Sequence, residues 1–161
     1  MKLEFPSKKH KEMYINLINN WGKSETIPTS PSRLFAGNDF SDFLELIKKD
    51  TTDSETGVNS HLFFLINDNE ILGAIQIRHN INHPNLIENG GHIGYGIAPR
   101  HRRKGYATKM LELGLIEAKK LGLKKVLITC YLDNIGSNKV IKSNGGIFER
   151  ITKDGLDNRY L

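Results

Sequence analysis

The stretch that most constrains this chain is the change of period across residues 91–121. "GHIGYGIAP" (91–99) alternates, so Ile93, Tyr95 and Ile97 share one face of a strand and His92, Gly94 and Gly96 the other. Pro99 stops the run. From Gly105 the period is helical: Ala107, Met110, Leu111, Gly114, Ala118 and Leu121 fall at helical spacing, and Gly122 follows as a C-terminal stop. Between strand and helix lies "RHRRKG". Residues 100–111 carry Arg100, Arg102, Arg103, Lys104 and Lys109 and no acid, five charges that equal the formal net charge of the whole chain, +5.

That junction suits an anion. A helix start presents unpaired backbone N–H groups and the positive end of its dipole. A glycine there lets an anion approach the backbone, and basic side chains add charge. Two glycines on one strand face also permit close approach of a ligand or another backbone. The segment could serve a nucleic-acid backbone, a solvated surface or the phosphates of a small cofactor. It is no Walker A loop, because the Gly-x-x-x-x-Gly-Lys-[Ser/Thr] spacing is missing. Gly94 and Gly96 lie inside the strand rather than in its exit turn, so the dinucleotide fingerprint fails too.

The remaining elements follow from period and punctuation. "MKLEF" reads as a short strand. Residues 8–21 and 40–49 carry helical spacing, the first through Met13, Ile15, Leu17, Ile18 and Trp21, the second through Phe40, Phe43, Leu44 and Ile47. "SETIPTSPSRLFAGND" (24–39) and "DTTDSETGVNS" (50–60) read as loops, and loops of such length often face a substrate. "HLFFLIND" and "EILGAIQIRH", parted by Asp68-Asn69, predict an antiparallel hairpin, and "NINHPNLIENGG" (80–91) a connecting loop. "KKVLITCYL" is a further strand, and "DNIGSNKVIKSNGG" a short helix opened by Asp/Asn and closed by Gly145-Gly146. "IFERITK" and "NRYL" complete the set as a strand pair. The order β-α-α-β-β-β-α-β-α-β-β describes a mixed sheet with helices on its faces, an α+β architecture.

The totals set the class. At 161 residues, the chain is expected to form one domain over 1–161. No apolar run reaches the roughly 18 residues of a membrane span, and "MKLEFPSKKHKEM" lacks a signal-peptide core. The expectation is a cytoplasmic protein with no membrane partner. The single cysteine, Cys130, excludes an intramolecular disulfide and a multi-cysteine zinc site, and no metal is expected. Neither interleaved aromatics nor a helix-turn-helix pattern supports the nucleic-acid alternative.

"RRKGYA" (Arg102 to Ala107) matches the [Gln/Arg]-x-x-Gly-x-[Gly/Ala] motif of the GCN5-related N-acetyltransferase (GNAT) superfamily, which the chain resembles. "GHIGYGIAP" looks like the strand before that motif. "DNIGSNKVIKSNGGIF" resembles the later Asn-x-x-[Ser/Ala] helix with its Gly-Gly-aromatic exit. With "ITCYLDNIGS" and a closing "RY", the chain looks like a bacterial subgroup of predicted acetyltransferases over about residues 61–151. The resemblance implies a GNAT fold: a mostly antiparallel mixed sheet of six to seven strands, splayed at an acetyl-CoA site, with about four helices. It further implies that backbone groups near Ile97 and Ala98 pair with the pantetheine arm. Amides of Arg102, Arg103, Lys104, Gly105, Tyr106 and Ala107 would hold the pyrophosphate, with Thr108 behind them. Asn134 and Ser137 match the positions that steady the pantetheine.

The activity implied is acetyl transfer from acetyl-CoA to an amine by direct attack, in a monomer or homodimer. That chemistry needs a base near neutral pH, a donor for the carbonyl oxygen and an acid for the thiolate. The sequence departs from the common patterns here. The position seven after Asn134, often a Tyr acid, is Ile141, and the position five before it, a Glu in some members, is Thr129. The neighbourhood of Gly91 stands where histone-type members carry a Glu. His92 is the candidate base by its ordinary pKa near 6.5, and with Asn134 it makes up the candidate catalytic set. His79 and Asp133 are weaker substitutes. Cys130, with no base beside it in sequence, reads as a small buried hydrophobe. The missing acid and base keep open a non-catalytic acyl-CoA-binding or sensing domain.

Overall fold

The computed structural model describes residues 1–21 and 31–161. In chain order it contains β1 (Lys2–Glu4), α1 (Lys11–Asn19), α2 (Phe40–Asp50), β2 (Ser60–Asn67), β3 (Glu70–Arg78) and β4 (Ile93–Ile97). The second half holds α3 (Tyr106–Lys120), β5 (Ile128–Tyr131), α4 (Ile135–Ser143), β6 (Phe148–Ile151) and β7 (Asp157–Tyr160). The succession of elements is the one the periodicities predict. Among the described residues no helix is long and apolar enough to cross a membrane.

One expectation is corrected: hydrogen bonding divides the strands into two sheets, not one. The first runs β1-β2-β3-β4 and the second β5-β7-β6, and every ladder in both is antiparallel. The two meet where the His92 N–H donates to Leu127 O at 2.7 Å. His92 and Leu127 each immediately precede a strand, so β4 and β5 leave this joint in the same chain direction. They then belong to different sheets, so among the described residues no strand pairs with the β4 edge that faces β5, and this unpaired stretch is the cleft referred to below. Leu127 is spent on the joint, which is why β5 begins only at Ile128.

The β2–β3 hairpin turns on Asp68 (φ 46°) and Asn69 (φ 62°), the two left-handed residues of a type I′ turn. Helix α2 starts at Asp39, whose side chain accepts the Asp42 N–H at 2.9 Å. One face of the first sheet packs on α1 and α2 through Tyr14, Phe43 and Phe64, with Tyr14 and Phe43 stacked 4.6 Å apart. The other face packs on α3 and α4 through Ile75, Ile93, Met110 and Ile141.

Two segments read as loops are more ordered than their composition indicates. Of residues 24–39, positions 24–30 lie outside the described residues, while Ser32–Phe35 form a 3-10 turn. The Tyr14 hydroxyl donates to Leu34 O at 2.9 Å, and Leu34 is fully buried. Within residues 80–91, Leu86–Gly90 form one turn of π-helix. Arg150 grips Glu88 with two 2.8 Å bonds, and Thr129 Oγ1 donates to Asn89 O at 2.6 Å. Those partners lie in the second sheet, so tertiary contact supplies the order that local composition does not.

Candidate active site

The cleft is lined by the free edge of β4. Arg78 N donates to His92 O and Ala98 N to Leu72 O, which fixes the even-numbered residues of β4 as those bonded to β3. In an antiparallel ladder the alternate residues point their backbone groups the other way. The N–H and C=O of Ile93, Tyr95 and Ile97 therefore face the cleft. Of the two residues expected near a cofactor arm, Ile97 has its N–H on the cleft side, and the Ala98 N–H is bonded to Leu72 O of β3. The Ile97 carbonyl also accepts a 3.0 Å bond from Arg102 Nε.

Beyond β4 the chain winds tightly before α3. Arg103 (φ 59°) and Gly105 (φ 82°) are both left-handed, and Gly105 caps the helix without a side chain. Such winding turns successive amides toward one side and forms an anion-binding concavity. A Cβ added at Gly105 would meet nothing within 4 Å, so the space beside Gly105 is open. The five cations divide in use. Arg100 pairs with Glu70, Lys109 pairs with Glu112, and Arg102 folds back on β4. Arg103 and Lys104 are exposed at the turn and carry no ion pair among the described residues. Tyr106, Ala107 and Thr108 form the first turn of α3, and the Thr108 carbonyl accepts from Asn144 Nδ2 at 3.2 Å.

Opposite β4, Asn134 caps α4 by accepting the Ser137 N–H at 3.0 Å through Oδ1. Its amide nitrogen has no partner among the described residues. Ser137 Oγ lies 2.7 Å from the Tyr95 hydroxyl, joining β4 to α4. Burial pushes the Tyr95 phenol up to about 12, so it stays protonated. The sequence places Tyr95 on a strand face and no more. Its partner lies 42 residues away, and nothing local announces the pair.

The position expected for a tyrosine, Ile141, is fully buried in the core, and Thr129 anchors the π-turn. Cys130 is buried and its thiol is pushed up to about 11, which disfavours the nucleophilic thiolate. His79 is tied to His61 by a 2.8 Å ring contact. Asp133 is exposed beside the α4 cap. Among the described residues no three His, Cys, Asp or Glu side chains cluster as metal ligands.

His92 sits at the joint itself. Its Nδ1 accepts the Leu127 N–H at 2.9 Å, which leaves the neutral ring's proton on Nε2. Burial, then the charge of Arg78, lower its pKa. Gly91 completes the joint: its φ is 61°, and an added Cβ would lie 2.4 Å from Leu127 O. The expectation of a general base meets a physical objection here, since a second ring proton would displace the Leu127 N–H. The geometry suits His92 to holding the two sheets together.

This has a pH consequence. His61, His79 and His92 all have lowered pKa values, with burial the largest cause. Below the ordinary value of 6.5 the unfolded chain binds more protons than the native one, so stability falls as pH drops. Tm should therefore decrease between about pH 7 and pH 5. His92→Asn, whose Oδ1 can still accept the Leu127 N–H, should flatten that decrease. An unchanged slope would remove His92 from the account.

The comparisons with known proteins agree with this geometry. A family model described as an acetyltransferase (GNAT) domain matches residues 4–147. No curated protein matches the sequence. Among solved structures, the chain is similar to MccE, the microcin C7 self-immunity acetyltransferase, in complex with acetyl-CoA and AMP. The two are 25% identical with a TM-score of 0.59, over 98% of this chain and 89% of that one. RimL, the ribosomal L7/L12 alpha-N-protein acetyltransferase in complex with coenzyme A, is 17% identical with a TM-score of 0.66, over 98% and 90%. A chimera of the spermidine N-acetyltransferase SpeG from Vibrio cholerae and hSSAT is 18% identical with a TM-score of 0.64, over 99% and 95%. The last two likenesses are of fold.

Proposed function

The chain belongs to the acetyltransferase (GNAT) family, and from that premise we propose an acetyl-CoA-dependent N-acetyltransferase that acts on an amine by direct attack. The observation that carries the reading is the continuity of two features. The cleft edge of β4 runs directly into the wound basic turn at the start of α3. A pantetheine arm laid along Ile93–Ile97 as an added strand would deliver its pyrophosphate to the amides of residues 102–107. The Arg103 and Lys104 charges stand beside that place, with Thr108 in the helical turn behind. The Asn134 amide nitrogen and Ser137 would steady the arm from α4. MccE and RimL, similar in fold, hold acetyl-CoA and coenzyme A.

Transfer forms one N–C bond and breaks one C–S bond. The acceptor must be neutral to attack, and with His92 committed to the joint its proton leaves to solvent. The carbonyl oxygen accepts from a cleft-facing β4 N–H, that of Tyr95 or Ile97. The leaving thiolate takes its proton from Ser137 Oγ as the Tyr95 hydroxyl, 2.7 Å away, passes its own proton to Ser137, and the phenolate is reprotonated by solvent. Ser137 and Tyr95 thus stand in for the tyrosine that Ile141 replaces. The raised thiol of Cys130 argues against an acyl-enzyme.

A non-catalytic acyl-CoA-binding domain is the second reading, favoured by Ile141 and Thr129 at the usual acid and base positions. Thiol release from acetyl-CoA across amino acids, peptides, aminoglycosides and polyamines separates the two. The enzyme reading expects release that depends on one amine class. Binding of acetyl-CoA with no release from any amine would favour the sensor.

A further inference from the structure

The first sheet carries a polar end on its α1–α2 face that the cofactor reading leaves unused. Register places Ser60 opposite Arg78, Leu62 opposite Gln76, and Gln76 opposite Gly94, so these residues share one face. Tyr95 lies on the opposite face, toward α4. A group bound beside Gln76 and Arg78 would thus approach β4 from the side away from Ser137. Gly94 and Gly96 put no side chain on that face.

Two groups there are incompletely paired. Arg78 is half-buried and cannot shed its charge. Its Nη1 donates to Gly91 O at 3.2 Å, and among the described residues no carboxylate lies within ion-pair distance. Gln76 is 5% exposed. One end of its carboxamide bonds Ser60 Oγ at 3.0 Å, and the other, Oε1, has no partner among the described residues. A buried polar atom left in this state marks either ordered water or a ligand. No residue of β2, β3 or β4 on this face is acidic. On β1, Glu4 shares the face but is engaged by Lys2, Lys9 and His10. Among the described residues, these strands thus bring no unengaged acid to the Arg78 charge.

We infer that the acetyl acceptor is an amine that also bears an anionic oxygen group, a carboxylate or a phosphate, held by the Arg78 guanidinium beside the Gln76 carboxamide. This rests on the acetyltransferase reading above. Arginine offers a planar fork that matches either group in two parallel bonds. A polycationic acceptor would meet the Arg78 charge with no acid from these three strands to offset it.

Matched acceptors test the inference. Thiol release from acetyl-CoA is measured with a dipeptide and its C-terminal amide, with phosphoethanolamine and ethanolamine, and with spermidine. The anionic member of at least one pair should exceed its neutral partner by about tenfold or more in kcat/KM, and spermidine should rank below it. Which pair shows the preference tells carboxylate from phosphate. Arg78→Gln should erase the preference by raising KM for the anionic member, and Arg78→Lys should restore part of it. A preference for neutral acceptors or spermidine, a preference unchanged in Arg78→Gln, or no release with any member would overturn the inference. In each of those outcomes a retained acetyl-CoA thermal shift in the wild-type chain leaves the cofactor reading standing, whereas its loss would sink that reading instead.

Discussion

Gly105→Glu is expected to raise the dissociation constant for acetyl-CoA by at least about 100-fold. The effect follows from the turn itself. Gly105 holds a left-handed φ of 82° at the point where the β4 edge meets the α3 N-terminus. Open space lies over it, so the wild-type backbone can touch a phosphate directly. A glutamate there places a negative charge among amides that would bind the pyrophosphate. Hydrogen bonds to a charged group contribute about 1.5–3 kcal/mol each, so losing two of them accounts for the expected factor. Gly105→Ala separates charge from strain. It carries the left-handed penalty of about 1–2 kcal/mol without bulk or charge, and it should retain most of the affinity. Equal losses in both variants would mean that the turn is needed only for folding.

Ser137→Ala should lower kcat by about 100-fold while leaving the KM for acetyl-CoA within a few-fold, the range expected when a general acid is lost. The substitution spares the fold of α4. Asn134 caps that helix through the Ser137 backbone N–H, which alanine keeps. Tyr95→Phe should cost less, about tenfold, because the phenol acts through Ser137 rather than on the thiolate. Ser137→Thr, which keeps a hydroxyl, should recover part of the rate. Steady-state thiol release with the best amine of the panel checks all three. A Ser137→Ala enzyme with normal kcat would return the proton to solvent and leave the Tyr95–Ser137 bond as packing.

What the sequence discloses and what it conceals divide along contact distance. The Asp68-Asn69 turn, the α4 cap at Asn134 and the period change at Gly105 are written within a few residues, and each appears where the pattern puts it. The joint at His92 and Leu127 pairs residues 35 apart. That one contact sets where β5 starts and why Gly91 is a glycine. No local pattern encodes it. The direction of the Ala98 amide depends likewise on register with β3, which a strand's own alternation leaves undetermined. The basic segment was legible as a unit, yet its charges are not equivalent. Glu70 lies 30 residues before Arg100, and the β3–β4 ladder brings them together. Arg78 and Gln76 read in sequence as ends of an ordinary strand. Their significance comes from the partners they lack among the described residues.

The central claim is that the cleft between β4 and β5 receives acetyl-CoA. Thermal unfolding of the wild-type chain with acetyl-CoA at about 100 times its dissociation constant tests it most directly. Ligand linkage at that ratio adds about 2.7 kcal/mol, which for a chain of this size raises Tm by about 5–10 °C. Coenzyme A should produce a shift of similar size, since most of the proposed contacts fall on the pantetheine and pyrophosphate. A Tm that stays constant with both ligands at saturating concentration would contradict the account.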